Sequence, residues 1–256
     1  MELVFDIKLL DNLQSLHEQE EDLRRQSLEL IAGDQHHSEL MFLVTNAMNV
    51  LFGFTHDHVA TTDDELTLQY FGLRLFNDAA CSMKLALSGY AQQAMGQARD
   101  IMEIGFLLDY FRTAPQEISA WKNASAKVRK SKFGPVHIRK ALDARDGNKE
   151  MKRARVYAML SEHASHATYP GFRLMMKDGH GQVGPFIDDV KLRAWLQELT
   201  LRLLPAAELL GAHFPNAAEP VRELYRLYRG QIMEWWQRQQ AARDAKQGDT
   251  TAPGGK

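Results

Sequence analysis

Residues 90–113 read YAQQAMGQARDIMEIGFLLDYFRT, and this stretch decides the fold class. Ala94, Met95, Ala98, Ile101, Met102, Ile104, Phe106, Leu107 and Leu108 leave almost no polar face. A helix apolar nearly all round belongs inside a bundle rather than on its surface. Pro115 ends it, because the residue before a proline avoids helical geometry. The expected fold is therefore all-α: a single helical bundle of about eight helices with 90–113 buried at its centre.

The flanking segments fit that centre. Leu3, Ile7, Leu10, Leu13, Leu16, Leu23, Leu28 and Ile31 form one apolar stripe, so 2–32 is expected as a long helix stopped by Gly33-Asp34. Ser38 can cap a second helix over 38–52. Residues 53–64 (GFTHDHVATTDD) read as a loop, with Asp63 or Asp64 capping a helix over 65–88. Further helices are expected over 116–128, 136–146 (opened by Pro135), 149–166, 187–213 and 219–245. Pro205 should kink or split the helix that contains it. Residues 171–185 (GFRLMMKDGHGQVGP) are the one long non-helical stretch, an ordered loop with a short hairpin. One domain over 1–246 is the economical division, with 1–62 as an N-terminal helical appendage and 247–256 a disordered tail.

Composition bounds the function classes. The 256 residues are 45% hydrophobic and 25% charged, which is ordinary for a globular chain. The single cysteine, Cys81, excludes an intrachain disulfide and any zinc site built from cysteines. No run approaches the ~18 apolar residues that suggest a membrane span, and the acidic N-terminus lacks the basic region of a secretory signal. A cytoplasmic location is expected, with no membrane partner. There is no Walker A sequence, no dinucleotide-binding glycine loop and no nucleophile elbow.

Charge is unevenly spread. Residues 1–70 carry 14 acidic and 3 basic side chains, a balance of −11. Residues 121–155 carry 12 basic and 3 acidic, a balance of +9. Within that segment Arg129, Lys130, Lys132, Arg139, Lys140, Arg153 and Arg155 are the candidate anion-binding residues, with RNA or another polyanion as partner. The competing reading is that the basic segment packs beside the acidic N-terminal helices, or is simply a solvated face. Trp121, Phe133 and Tyr157 could stack on bases or lie in the core.

One polar site stands out. Arg99 and Glu103 are four residues apart, so they share a face of the most apolar helix. Charges there must be paired or used. Tyr157 and Ser161, and Glu162 and His166, are also four apart, and His163 precedes His166 by three. His163, His166, Arg99 and Glu103 are the candidate catalytic set: imidazoles for proton transfer and Arg99 as an anion clamp. The structural alternative is an ion pair and helix-end histidines that fix the register of the bundle. His163 and His166 with Glu162 could hold a metal, which a metal-dependent hydrolase would need. His36-His37 and His56-Asp57-His58 are weaker groupings of the same kind, and no cofactor is expected.

A resemblance extends over about residues 70–210. Its residues are Arg74-Leu75-Phe76-Asn77, Ser88-Gly89-Tyr90, Gln97-Ala98-Arg99-Asp100-Ile101-Met102-Glu103, Trp121, Phe133, Tyr157-Ala158-Met159-Leu160-Ser161-Glu162, His166-Ala167-Thr168, Pro170-Gly171 and Gly184-Pro185-Phe186. In these the chain resembles an uncharacterised all-helical family of bacteria and phages. It is also similar to helical proteins of the HEPN type and of abortive-infection systems. That likeness implies metal-independent RNA cleavage by Arg and His, in phage defence or as a toxin. HEPN nucleases set their Arg and His closer together on one helix than Arg155 and His163 stand here, with seven residues between them. Three functions follow as expectations: a helical interaction protein, oligomeric and polyanion-binding through 121–155; a HEPN-like ribonuclease; or, third, a metal-dependent hydrolase using His163, His166 and Glu162.

Overall fold

The computed structural model describes residues 11–250. The chain is all-α apart from one two-residue hairpin. Eleven α-helices follow one another among the described residues: α1 (Asp11–Ala32), α2 (Gln35–Phe52), α3 (Asp63–Leu87), α4 (Ala91–Thr113), α5 (Glu117–Lys122), α6 (Ala126–Lys132), α7 (Pro135–Arg145), α8 (Lys152–Leu160), α9 (Tyr169–Arg173), α10 (Asp189–Ala212) and α11 (Glu219–Thr250). Single π-helical turns extend α2 (Gly53–Asp57) and α8 (Ser161–Ser165). No described helix is long and apolar enough to cross a membrane.

The nine expected segments become eleven helices because one is split and one is added, and a third starts late. Ser125 caps α6 by accepting a hydrogen bond from the Val128 N–H, so the segment expected as 116–128 becomes α5 and α6. The expected helix 149–166 begins at Lys152 after Met151, whose φ is +53°. Tyr169-Pro170-Gly171 starts a helix instead of ending one, because Thr168 accepts from the Gly171 N–H. Caps also shift the other ends. Asp34 caps α2, taking the role expected of Ser38, whose hydroxyl donates to the Ile31 carbonyl. Thr62 caps α3, and the Glu65 carboxylate reaches back to the Thr61 N–H at 2.7 Å. The start of the first expected helix and residues 251–256 of the expected tail lie outside the described residues, while α11 continues to Thr250.

The expected central helix is buried, and it shares the centre with a second. From α4, Ala94, Ala98, Ile101, Met102, Ile104, Gly105, Leu108 and Phe111 are buried. From α10, eleven residues are buried, including Trp195, Leu199, Leu203, Leu204 and Leu210. The two helices form the most extensive interface in the fold, and α3 and α2 flank them. Pro205 does not split α10. A helix-interior proline costs about 3 kcal/mol, and burial of one leucine returns about 1.5–3 kcal/mol. Leu203, Leu204, Ala206 and Ala207 on both sides of Pro205 are fully buried, so packing holds the helix through it. Gly105 of α4 lies against Ala206, with a glycine Cβ position 3.5 Å from the alanine Cβ.

Polar ties inside this core are few. The Ser82 hydroxyl donates to the Ala94 carbonyl at 2.9 Å and accepts from the Trp195 indole at 2.8 Å, joining α3, α4 and α10. Tyr228 of α11 donates to the Leu204 carbonyl at 2.7 Å. Leu40, Leu43, Val44, Ala47, Val50 and Leu51 of α2 lie in the same core as α4 and α10, so these residues are integral and not an appendage. Trp235 is fully buried, while its neighbour Trp236 is partly open to solvent. The hairpin pairs Met176 with Gly181 and Lys177 with His180 around Asp178-Gly179, both at positive φ; two successive left-handed positions suit a tight hairpin turn.

Candidate functional site

The spacing of Arg99 and Glu103 along α4 carries into a cluster with α8 and its π turn. Arg99 Nη2 pairs with Glu103 Oε1 at 2.7 Å and donates to the Tyr157 hydroxyl at 2.6 Å. Arg99 Nε donates to Ser161 Oγ at 3.1 Å, and Nη1 lies 3.4 Å from Ser165 Oγ. Tyr157 in turn donates to Glu103 Oε1 at 2.9 Å. The ring of Tyr157 also takes Arg139, whose guanidinium carbon stands 4.0 Å from the ring centroid. Burial opposes the charge on Arg99, yet its bond to Tyr157 and the nearby Glu103 carboxylate raise its pKa overall. Every nitrogen of the guanidinium has a partner within its own chain.

The histidines do not join this cluster. The His163 ring bonds to the Met159 carbonyl at 2.9 Å, one turn back on its own helix. His166 is exposed, and its ring makes no hydrogen bond among the described residues. The catalytic set therefore divides: Arg99 and Glu103 are brought together with Tyr157 and Ser161, while His163 and His166 stand apart from them. Among the described residues no group of three or more His, Cys, Asp or Glu side chains is placed to hold a metal ion. The other histidine groupings also separate. His56 pairs with exposed Asp57 at 2.8 Å, His58 is buried against Phe214, and His37 faces Asp34 and Arg193.

The seven candidate anion-binding residues have different fates. Lys132 is paired with Glu117 at 2.6 Å. Arg153 bridges Asp143 at 2.7 Å and Asp146 at 2.5 Å. Arg139 is buried, with Nε and Nη1 sealed from solvent against Tyr157 and without hydrogen-bond partners; it follows buried Ile138 and precedes buried Leu142 by three, so the helix turns it inward. Arg129 lies over the Trp121 ring at 5.6 Å and donates to the Ala124 carbonyl. Lys130, Lys140 and Arg155 are exposed and have no carboxylate partner among the described residues. Lys127 and Lys149 share that condition. Between α6 and α7 a shallow groove of about 510 Å³ is bounded by Lys127, Lys130, Val136 and His137.

The acidic N-terminal region does not neutralise this face. Helix α1 packs on α2, α3 and α10, whereas α7 and α8 reach the core through α4. Among the described residues one ion pair, Lys122 to Asp63 at 2.5 Å, joins the acidic 1–70 region to the basic 121–155 region. Much of the acidity of α1 is answered locally, as in Glu21–Arg24 at 2.6 Å.

A feature that sequence reasoning missed lies on the other side of Glu103. A cleft of about 410 Å³ opens between α3, α4 and α5, walled by Tyr70, Phe71 and Trp121 and edged by Arg74, Asp100 and Glu103. Arg74 pairs with Asp100 and lies 3.8 Å from Asp78. Burial, aided by the Asp100 charge, raises the Asp78 carboxyl to about 6. The sequence signal was the Arg74, Asp78 spacing on α3, but only tertiary packing brings it to Asp100. Set against family models, curated proteins and solved structures, the chain matches none.

Proposed function

We propose that this chain is a helical binding protein that engages single-stranded RNA through the α6–α8 face. The reading rests on one observation: the charge segregation of the sequence survives folding. Among the described residues five exposed cations of 121–155, Lys127, Lys130, Lys140, Lys149 and Arg155, have no acidic partner, and a single ion pair connects the region to the acidic N-terminal part. Unpaired cations carried by α6, α7, α8 and the loop between α7 and α8 raise the local concentration of a polyanion and gain free energy by releasing its counterions. The Arg99 cluster plays a structural part in this account. Its guanidinium is occupied by Glu103, Tyr157 and Ser161, and it ties α4 to α8 so that the basic helices hold one position.

The test is fluorescence anisotropy with a labelled uridine-rich strand at low salt, on the parent chain and on Lys130→Glu/Lys140→Glu/Arg155→Glu. All three side chains are exposed, so the fold should tolerate them. Binding by the parent and at least tenfold weaker binding by the triple variant is expected. Absence of binding, or equal binding by both, would overturn the proposal.

A further inference from the structure

We propose that the cleft between α3, α4 and α5 binds a planar heterocycle that presents two adjacent N–H donors, guanine being the type. The argument begins with size and shape. At about 410 Å³ the cleft falls in the range of small-ligand sites, and its walls are largely aromatic and aliphatic with a few convergent polar groups. Phe71 and Trp121 pack with ring centroids 4.7 Å apart, while Tyr70 remains 60% exposed at the cleft wall. An exposed tyrosine on the same cleft wall as a tryptophan offers stacking surface that none of the described residues covers.

The polar edge selects the ligand's chemistry. Both cations of the cleft are already neutralised: Arg74 by Asp100 and Lys122 by Asp63. An anionic ligand would have to displace a carboxylate from one of them. The acceptors are in surplus. Glu103 uses Oε1 for both Arg99 and Tyr157; Oε2 has no hydrogen bond among the described residues, and the side chain is 24% exposed. Asp100, three residues back on the same helix, gives Oδ2 to Arg74, and its Oδ1 has no hydrogen bond among the described residues. A flat ring with a donor edge meets this arrangement, because its two N–H groups find one free carboxylate oxygen each, Glu103 Oε2 and Asp100 Oδ1, on the same edge of the cleft. Adenine lacks the paired donors, and hypoxanthine has lost one of them.

The cleft deepens the RNA reading without resting on it. Trp121 also lies beneath Arg129 of the basic α6 helix, so a guanine in a strand bound on that face is one source of the ring, and a free nucleoside is the other. Guanosine carries no phosphate, so its binding is independent of the polyanion face. Isothermal titration with guanosine, inosine and adenosine is the test, on the parent chain, Tyr70→Ala and Glu103→Gln. Guanosine should bind the parent, with inosine at least tenfold weaker and adenosine weaker still. Each variant should lose at least tenfold while its thermal midpoint stays within a few degrees. A strand with one guanine among uracils that displaces guanosine assigns the ring to RNA; a strand that leaves guanosine bound assigns it to a free nucleoside. No binding of guanosine, equal binding of the three nucleosides, or unchanged binding by Tyr70→Ala would overturn the proposal.

Discussion

Replacing Ser82 by alanine removes one hydroxyl and unties three helices. Ser82 is fully buried, and its Oγ is the partner of the Trp195 indole N–H at 2.8 Å. Trp195 is also buried, at 1% exposure, so no water replaces the lost acceptor. Leaving that donor unsatisfied costs about 1–3 kcal/mol, and the lost bond to the Ala94 carbonyl adds about 1 kcal/mol. The sum is about 2–4 kcal/mol. For a chain of this size each kcal/mol shifts the melting point by about 2–4 °C, so Ser82→Ala should melt at least 4 °C below the parent. Urea denaturation gives the free energy, with the slope unchanged if only stability has moved. Trp195→Phe supplies the control. It loses packing of its own, but in the Ser82→Ala background no orphaned N–H remains, so the double variant should be more stable than the sum of the singles by about 1–2 kcal/mol. Ser82→Ala within 0.5 kcal/mol of the parent, or strict additivity in the cycle, would refute the reasoning.

Three further outcomes follow from other parts of the structure. Asp78 has a folded-state pKa raised to about 6 by burial and Asp100. Below the unfolded value near 3.9 both states hold its proton. Between there and about 6 the folded state holds more, so its contribution to stability falls as pH rises. Asp78→Asn should abolish that fall and stabilise the chain by about 1–2 kcal/mol at pH 7, allowing for solvent screening; thermal melts from pH 4 to 7.5 measure it, and parallel curves for parent and variant would contradict it. Gly211→Ala places a Cβ 2.4 Å from Tyr225 Cε2 and 2.9 Å from Phe54 Cε2, and such overpacking should cost about 1–3 kcal/mol in urea denaturation. Arg99→Leu should cost about 1–2 kcal/mol by freeing Tyr157 and Ser161 while leaving RNA affinity within twofold in an anisotropy titration; a large loss of affinity in a folded variant would make Arg99 a contact residue.

Much of this fold is legible in local pattern. The apolar run of 90–113 specifies a buried helix whatever its neighbours, and α4 is one. The i, i+4 pairs Arg99–Glu103 and Tyr157–Ser161 are also local, and their four side chains meet. What failed was decided by tertiary context. Pro205 reads as a break because the sequence does not show how deeply Leu203 and Ala207 are packed. The continuation of α2 into a π turn at Gly53–Asp57 leaves no mark in a stretch rich in turn residues. Arg139 reads as a surface cation from the charge of its segment, whereas its place between Ile138 and Leu142 on α7 turns it inward. The aromatic cleft was invisible because Tyr70, Glu103 and Trp121 come from three helices.

The account depends most on the unpaired cations of α6–α8, and the salt dependence of RNA affinity tests them most directly. Single-strand binding loses about 0.7 in the log–log slope for each phosphate neutralised. Five free cations therefore set a ceiling near −3.5, and Lys130→Glu/Lys140→Glu/Arg155→Glu should reduce the magnitude of the slope by about 2. A slope near zero for the parent, or a slope that the triple variant leaves untouched, would contradict the account.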